Sequence, residues 1–366
     1  MRAFFRFVTW PAIAGLLAAL LLLDNWISRA DAPDAVVSER TYRTAVAKAT
    51  PSVVNIYTET ERVANRAQLL RMNQLRILIP GNVPRKRIER SLGSGVIMSA
   101  EGYILTNHHV VAGATAIKVQ LSDGRSALAE PVGEDVDTDL ALLKIELDNL
   151  SPIELADSDT LSVGDVVLAI GNPLGLNHSV TQGIISGLGR DLSFTRGTFE
   201  ELIQTDAVIH AGNSGGALVD AGGKLIGINR LIYTANDGGN GMTGIGISLA
   251  ITSNTAEFVM DDLIRYGRVI RGWFGVSVVQ TQASRGAGLL VLGVAPDGPA
   301  ARAGLQTGDI ITHFDRQPID SVHLSMRKVS RLRPGDRLSI TVERQTSVLD
   351  LDAMIGVQTA RSENGP

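Results

Sequence analysis

The 366-residue sequence contains no cysteine, few aromatic residues and little net charge. The absence of cysteine excludes a thiolate nucleophile, a thiolate metal site and a disulfide framework. Phe, Trp and Tyr make up 4% of the residues, and the formal net charge is −4, so the overall composition does not indicate nucleic-acid binding. Histidine is also scarce, with six residues. We predict no cofactor and no bound metal.

Glycine and apolar residues are abundant by comparison. The chain has 38 glycines and is 44% hydrophobic, which predicts short strands separated by many turns. No unit of a strand followed by a long helix recurs, so a parallel α/β sheet is excluded. We expect a mainly β protein built as a sandwich or a pair of barrels. Its length suits two domains with additional segments.

The N-terminal segment carries an apolar run over residues 7–23, preceded by two arginines. A run of this length is at the short end of what spans a bilayer. A cleaved signal peptide is the alternative, because residues 30–32 read Ala-Asp-Ala. Pro33 directly after that site and the length of the run favour an uncleaved anchor. We therefore predict a cytoplasmic tip and transmembrane helix over residues 1–30, with the rest of the chain across the membrane.

Other segments are assigned by composition and periodicity. Apolar residues at helical spacing predict a helix over Thr252–Tyr266, which ends at Gly267. The remaining predictions are a polar tether over 31–40, a basic loop over 58–92 and a disordered tail over 358–366.

The stretch Gly212-Asn213-Ser214-Gly215-Gly216 lies between two strand-like runs. Glycines permit a tight turn, and such a turn can aim the N–H groups of Gly212 and Ser214 at one point. That arrangement would form an oxyanion hole beside a nucleophilic serine. The alternative is a glycine-rich hairpin in which the serine has no chemical role. The stretch alone leaves both interpretations open.

A nucleophilic serine needs a base and a carboxylate that orients the base. His108 and His109 follow the strand-like run that ends at Asn107, and Asp139 precedes the apolar run Leu140–Ile145. The order His, Asp, Ser is that of the two-barrel serine proteases. Which of the two histidines is the base is not decided by these residues alone.

The motif around Ser214 also satisfies G-x-S-x-G, the nucleophile elbow of α/β-hydrolases. That fold requires a helix after the serine, and an Asp and a His later in the chain. Here a predicted β-hairpin follows Ser214, and the downstream histidines are only His313 and His323. The elbow interpretation is therefore rejected.

Three segments resemble the HtrA family of trypsin-fold serine proteases. They are Thr106-Asn107-His108-His109-Val110, Thr138-Asp139-Leu140-Ala141-Leu142-Leu143-Lys144 and Gly212-Asn213-Ser214-Gly215-Gly216-Ala217-Leu218. The family motif T-N-x-H-V implies that His109 is the base. The resemblance also implies a trypsin-like double β-barrel over residues 41–266, with a Ser214–His109–Asp139 triad and a serine endopeptidase activity. Arg190 lies where the family has an arginine that relays activation.

A second domain, over residues 269–357, resembles a PDZ module. Residues 298–311 match the family's PDZ signature, and by resemblance Gly272-Trp273-Phe274-Gly275-Val276 forms the carboxylate-binding loop and the adjoining strand. Such a domain captures a peptide C-terminus by strand addition. Two positions depart from the family pattern. His210 stands two residues before Gly212, and Asp315-Arg316 stand in a turn of the PDZ domain.

One anchor, one protease domain and one PDZ domain resemble the membrane-tethered branch of the family. That resemblance implies a homotrimer in the bacterial inner membrane, single-pass, with both domains in the periplasm. It also implies cleavage of a membrane-bound anti-sigma factor when the PDZ domain binds C-termini of misfolded outer-membrane proteins. The alternatives are a general periplasmic quality-control protease or chaperone and, from a different class, a non-catalytic PDZ adaptor.

Overall fold

The computed structural model describes residues 15–16, 18–19, 41–63, 86–172, 178–190, 202–210, 212–230, 248–284, 286–319 and 321–357. Most of the predicted anchor over 1–30, the tether over 31–40 and the tail over 358–366 lie outside these residues. Within the described residues, no helix has both the length and the apolarity needed to cross a bilayer. Residues 1–44 form one compact unit and residues 45–366 form another.

The first part of the larger unit is a seven-stranded antiparallel sheet. Its strands are β1 (Val53–Val63), β2 (Lys86–Ile97), β3 (Tyr103–Asn107), β4 (Ala116–Gln120), β5 (Ser126–Leu128), β6 (Glu130–Asp135) and β7 (Leu140–Lys144). They are arranged in the order β5-β4-β1-β2-β3-β7-β6, and in the described residues the two end strands are not paired with each other. A short helix, α1 (Arg43–Ala49), and a 3₁₀ turn precede β1. Apolar side chains on alternate strand positions, such as Ile117 and Val119, form the core of this sheet.

The basic loop predicted over residues 58–92 is wrong at both ends. β1 continues to Val63 and β2 begins at Lys86. The two strands are paired at every position from Val53 opposite Val96 to Val63 opposite Lys86. Threonine and valine favour strands, and the register places Glu59 opposite Arg90, so the ladder continues there. The sequence prediction missed residues 58–63 of β1 and 86–92 of β2 because neither stretch carries an apolar alternation. The middle of the predicted loop, residues 64–85, lies outside the described part.

The second sheet closes into a six-stranded barrel. Its strands are β8 (Val166–Gly171), β9 (Ser179–Arg190), β10 (Leu202–Thr205), β11 (Ala217–Asp220), β12 (Leu225–Arg230) and β13 (Ser248–Thr252). The ring order is β10-β13-β12-β11-β8-β9. Small and branched residues such as Ala169, Leu218, Ile226 and Ala250 fill its interior. The predicted hairpin after Ser214 is confirmed, because β11 pairs with β12.

The predicted helix after the second barrel is confirmed as α3 (Ser253–Tyr266). It ends at Gly267, whose φ of +66° is the left-handed conformation that glycine adopts most readily. Ala256, Val259 and Leu263 are buried, whereas Ile264 is 40% exposed and lies off the apolar face. The helix contacts β6, β7, β12 and β13. Residues Leu140–Leu143 of β7 are therefore buried on both faces of the strand.

The C-terminal part is a separate antiparallel sheet with two helices. Its strands are β14 (Gly272–Trp273), β15 (Val276–Ala283), β16 (Gly286–Val294), β17 (Ile310–Phe314), β18 (Gln317–Pro318), β19 (Arg337–Arg344), β20 (Ser347–Met354) and β21 (Gly356–Val357). The main sheet has the order β15-β16-β17-β19-β20, with β18 paired to β17, and β14 pairs with β21. The helices are α4 (Pro299–Arg302) and α5 (Val322–Arg331). Phe274 and Phe314 meet edge to face at 6.3 Å in the core of this sheet.

Two polar features shape this C-terminal sheet. Asp315 and Arg316, between β17 and β18, both have positive φ (49° and 63°), as a type I′ hairpin turn requires. Asp309 is buried and accepts hydrogen bonds from the Arg344 guanidinium at 2.7 Å. Burial alone would raise the pKa of Asp309, but the hydrogen bonds from Arg344 and from the Gln306 N–H outweigh it and lower that pKa.

Buried ion pairs join the C-terminal sheet to the protease part. Arg333 donates to both carboxylate oxygens of the fully buried Asp262 on α3, at 2.7 and 2.6 Å. Arg271 donates to Asp135 at the end of β6. Burial alone would lower the pKa of Arg271, but the hydrogen bonds from Arg271 to Asp135 outweigh it and raise that pKa. Asp135 also accepts from the backbone N–H of Thr138, one residue before Asp139.

Candidate active site

His109 lies in a single helical turn, α2 (His108–Val111), directly after β3. The backbone N–H of His109 donates to Asp139 Oδ1 at 2.9 Å. The same residue's Nδ1 lies 2.7 Å from Asp139 Oδ2. One carboxylate thus holds both the backbone and the ring of His109, which fixes Nδ1–H as the donor and leaves Nε2 as the acceptor. The imidazole is 35% exposed, so a substrate can reach it.

Asp139 is held in an unusual backbone conformation. Its φ is +58°, in the left-handed region that a non-glycine residue rarely adopts. Its carbonyl oxygen accepts hydrogen bonds from the His108 N–H at 2.9 Å and from Asn107 Nδ2 at 3.1 Å. These bonds stabilise the left-handed residue and keep its carboxylate, which is 11% exposed, under the imidazole.

The two adjacent histidines have different partners. His108 Nδ1 contacts Glu134 of β6 at 3.1 Å, and that glutamate is 58% exposed. His109 contacts the buried Asp139. Of the two, His109 therefore has the fixed, half-shielded environment that a catalytic base needs.

Ser214 lies in a glycine turn that is packed against β2 and β3. The Ser214 carbonyl accepts from the Ser94 N–H at 2.9 Å. Gly215 has a φ of +80°, and a Cβ there would lie 2.2 Å from Ser94 O and 2.3 Å from Thr106 Oγ1. Only glycine can approach β3 this closely. The turn is therefore seated beside the end of β3, one residue before α2 begins with His108.

Ser214 itself is nearly buried, with 4% of its surface exposed. Among the described residues its hydroxyl makes no hydrogen bond to His109. Nucleophile–base hydrogen bonds are often long without substrate and shorten in the reactive complex. The structure brings the serine turn and the His109–Asp139 pair to the same edge of the two sheets.

Gly212 has a φ of +101°. The Asn213 N–H donates to His210 O at 3.0 Å, which makes Gly212 the third residue of a closed four-residue turn. A positive φ at that position is a conformation that glycine adopts readily. The N–H groups of Gly212 and Ser214 donate to no other group in the described part of the chain. His210 is exposed, and its carbonyl closes this turn.

Two residues around the site were not found from the sequence. Ser94 Oγ donates to Gly212 O at 2.7 Å and accepts from the Asn172 N–H at 2.9 Å. Arg230, the last residue of β12, has its Nε 3.2 Å from Asp139 Oδ2. No local motif marks either residue, because each acts on a partner that lies far away along the chain.

The predicted peptide-binding residues occupy different positions. Gly272 is buried in β14, where a Cβ would lie 2.4 Å from Val329 O of α5, so it serves close packing. Phe274 is in the core, and Gly275 has a φ of +82°. Among the described residues the N–H groups of Phe274 and Gly275 donate to no partner. Val276 begins β15.

The remaining predicted residue, Arg190, ends β9, where it pairs with Leu202 of β10. Its side chain lies outside the described part. In the described residues, no three His, Asp or Glu side chains are grouped so that they could hold a metal ion.

Sequence comparison defines the class of this protein. A profile described as trypsin-like peptidase domain matches residues 93–228, and one described as PDZ domain matches residues 272–355. With the strand order and the Ser–His–Asp grouping above, they define a mainly β protein in which a trypsin-like serine peptidase domain is followed by a PDZ domain.

Relatives define the family. The chain is 38% identical to the serine endoprotease DegS of Haemophilus influenzae, over 97% of this chain and 98% of that one. It is 40% identical to a probable periplasmic DegP-like serine endoprotease of Pseudomonas putida, over 93% of this chain and 74% of that one. The solved structure of the HtrA-type protease AlgW with tripeptide has a TM-score of 0.70 and 45% identity, covering 87% of this chain and 98% of that one. The chain belongs to the HtrA family of serine endoproteases.

Proposed function

We propose that Ser214, His109 and Asp139 are the catalytic triad of this endopeptidase. Ser214 Oγ attacks the scissile carbonyl while His109 Nε2 accepts its proton, and His109 then donates that proton to the leaving amine. Asp139 orients the imidazole and stabilises its protonated form. The observation that carries this proposal is the double hydrogen bond from His109 to one carboxylate.

In the same mechanism the N–H groups of Gly212 and Ser214 stabilise the oxyanion of the tetrahedral intermediate. The positive φ of Gly212 supports this role, because it is a conformation that glycine adopts readily and that sets the direction of the Gly212 N–H relative to Ser214. With a sensor domain in the same chain, this turn is the proposed site of regulation, and His210 closes it. Arg190 is the proposed relay of activation.

Substitution of Ser214 tests the triad. Ser214→Ala should abolish both cleavage of casein, an unfolded protein, and labelling by a fluorophosphonate probe, each measured with activating peptide present. Circular dichroism should show the same fold as the wild type, since the lost hydroxyl makes no hydrogen bond among the described residues. Cleavage that survives in purified Ser214→Ala would refute the assignment.

For the biological role we propose regulated cleavage of a membrane-bound anti-sigma factor in the periplasm. The alignment with DegS, which extends over 98% of that protein, supports this role. The proposed architecture has an anchor over residues 1–30, a protease domain over 41–266 and a PDZ domain over 269–357. It places a single-pass homotrimer in the bacterial inner membrane. Mass spectrometry of the mature N-terminus tests the anchor, because a start at or near Pro33 would remove it.

The PDZ domain is the proposed sensor for C-termini of misfolded outer-membrane proteins. The N–H groups of Phe274 and Gly275 are available for a peptide carboxylate, and β15 begins at the next residue, Val276. The relative AlgW has been solved with a tripeptide and with a decapeptide. A hydrophobic decapeptide with a free carboxylate should increase labelling of Ser214 by the fluorophosphonate, and the same peptide with a C-terminal amide should not.

The second candidate is a general periplasmic quality-control protease, which the 40% identity to DegP-like relatives supports. Casein cleavage without any added peptide distinguishes the two candidates. A high basal rate that peptide does not change favours quality control, and a low basal rate that peptide raises favours the regulatory role. A non-catalytic PDZ adaptor would show neither cleavage nor labelling.

A further inference from the structure

Arg230 reaches the His109–Asp139 pair from the second barrel. Its Nε lies 3.2 Å from Asp139 Oδ2, and the two side chains are only 19% and 11% exposed. Water therefore screens this ion pair less than it screens a surface pair. The contact joins a carboxylate carried by the first sheet to a cation carried by the second.

The strand that carries Arg230 is hydrogen-bonded to the turn over Gly212–Gly216, which contains Ser214. The neighbouring residue Asn229 accepts from the Gly215 N–H at 2.9 Å and donates its own N–H to Gly216 O at 2.8 Å. The Asn229 side chain is buried and donates to Ile170 O and Ala217 O. Arg230 is thus held on a rigid strand end that is fixed relative to Ser214.

We infer that Arg230 is a positioning residue for the catalytic carboxylate, and that it holds Asp139 Oδ2 in place for the His109 ring. The inference rests on the proposed roles of His109 and Asp139. Asp139 Oδ1 accepts from the His109 N–H, and Oδ2 faces both His109 Nδ1 and Arg230 Nε. Three donors on two oxygens fix the rotation of the carboxylate about its side-chain bonds.

The described charged groups on the elements that carry His109 and Asp139 have partners of their own. His108, on the same helical turn, contacts Glu134 at 3.1 Å. On the loop before Asp139, Asp135 is bonded to Arg271, and Asp137 lies 3.9 Å from the same arginine. Of the ion pairs described in this region, those of Asp139 are with His109 and Arg230.

The test measures the rate of Ser214 labelling against the concentration of a fluorophosphonate probe, with activating peptide present. Arg230→Met should lower the maximal rate roughly tenfold at an unchanged concentration for half-saturation, because the carboxylate loses a donor. Arg230→Lys keeps a charged donor at this position and should restore part of the lost rate.

A wild-type maximal rate in Arg230→Met would overturn the inference. A raised concentration for half-saturation would overturn it too, since a general structural disturbance weakens probe binding as well as the maximal rate. If Arg230→Met does not fold, as judged by thermal unfolding, Arg230→Gln and Arg230→Lys give the same comparison of neutral and charged side chains. Failure of the wild type to label at Ser214 would instead refute the proposed triad. The two failures are therefore distinguishable.

Discussion

Ser94 on β2 is predicted to determine the geometry of the proposed oxyanion hole through its hydrogen bonds to the turn that carries Ser214. Its hydroxyl donates to Gly212 O at 2.7 Å and accepts from the Asn172 N–H at 2.9 Å, and the residue is fully buried. Its backbone N–H also donates to the Ser214 carbonyl at 2.9 Å. Ser94 therefore hydrogen-bonds to two carbonyls of the turn over Gly212–Gly216, those of Gly212 and Ser214, on either side of Asn213.

Ser94→Ala removes the two side-chain hydrogen bonds, and the buried Gly212 carbonyl loses the donor it has in the wild type. A buried group left unpaired costs about 1–3 kcal/mol. We expect the free energy of unfolding to fall by about 2 kcal/mol, the middle of that range. With the Gly212 carbonyl released, the backbone torsions of Gly212 are less restrained. The preceding peptide, which carries the Gly212 N–H, is then held less firmly, and kcat should fall roughly tenfold with little change in KM.

The assay combines urea unfolding with casein cleavage in the presence of activating peptide. Ser91→Ala is the matched control, since Ser91 lies on the same strand but is exposed. The control should change neither quantity. A Ser94→Ala protein that loses stability but keeps the wild-type kcat would refute the reasoning, because the turn would then hold its geometry without this hydroxyl.

Three further predictions concern the PDZ domain and its junction with the protease domain. Arg316→Gly should raise the Tm in thermal unfolding by relieving about 1 kcal/mol of left-handed strain, and an unchanged Tm would contradict the turn assignment. The pKa of Asp309 is lowered in the folded protein, so its pair with Arg344 stabilises the fold at pH values above the unfolded pKa of roughly 3.9. This stabilisation is lost as the pH falls through the lower pKa of the folded state. Asp309→Asn should therefore weaken the decrease of Tm in acid, whereas an identical pH dependence would exclude this pair as its source. Asp262→Asn should lower the free energy of unfolding by about 2 kcal/mol, because it leaves Arg333 without its buried counter-charge. Urea unfolding measures this, and a wild-type midpoint would show that the junction does not depend on the pair.

Much of the fold was predictable because its signals are local. The helix that ends at Gly267, the hairpin after Ser214 and the mainly β class all follow from short-range patterns of apolar residues and glycine. The parts of β1 and β2 that lie within the predicted loop, residues 58–63 and 86–92, were not predictable in this way. Those residues are mostly polar, and the backbone pairing of the two strands with each other defines them as strands.

The candidate site likewise has a part that the sequence predicts and a part that it does not. The sequence by itself determined which residues could act as nucleophile, base and carboxylate, since Ser214, His109 and Asp139 each lie in a recognisable motif. Only the tertiary structure decided how they are held. Ser94 and Gly212 are 118 residues apart in the chain, and Arg230 meets Asp139 only because the closed second barrel lies against the first sheet. Contacts of this kind leave no period or spacing in the sequence, because they depend on where two separately folded sheets meet.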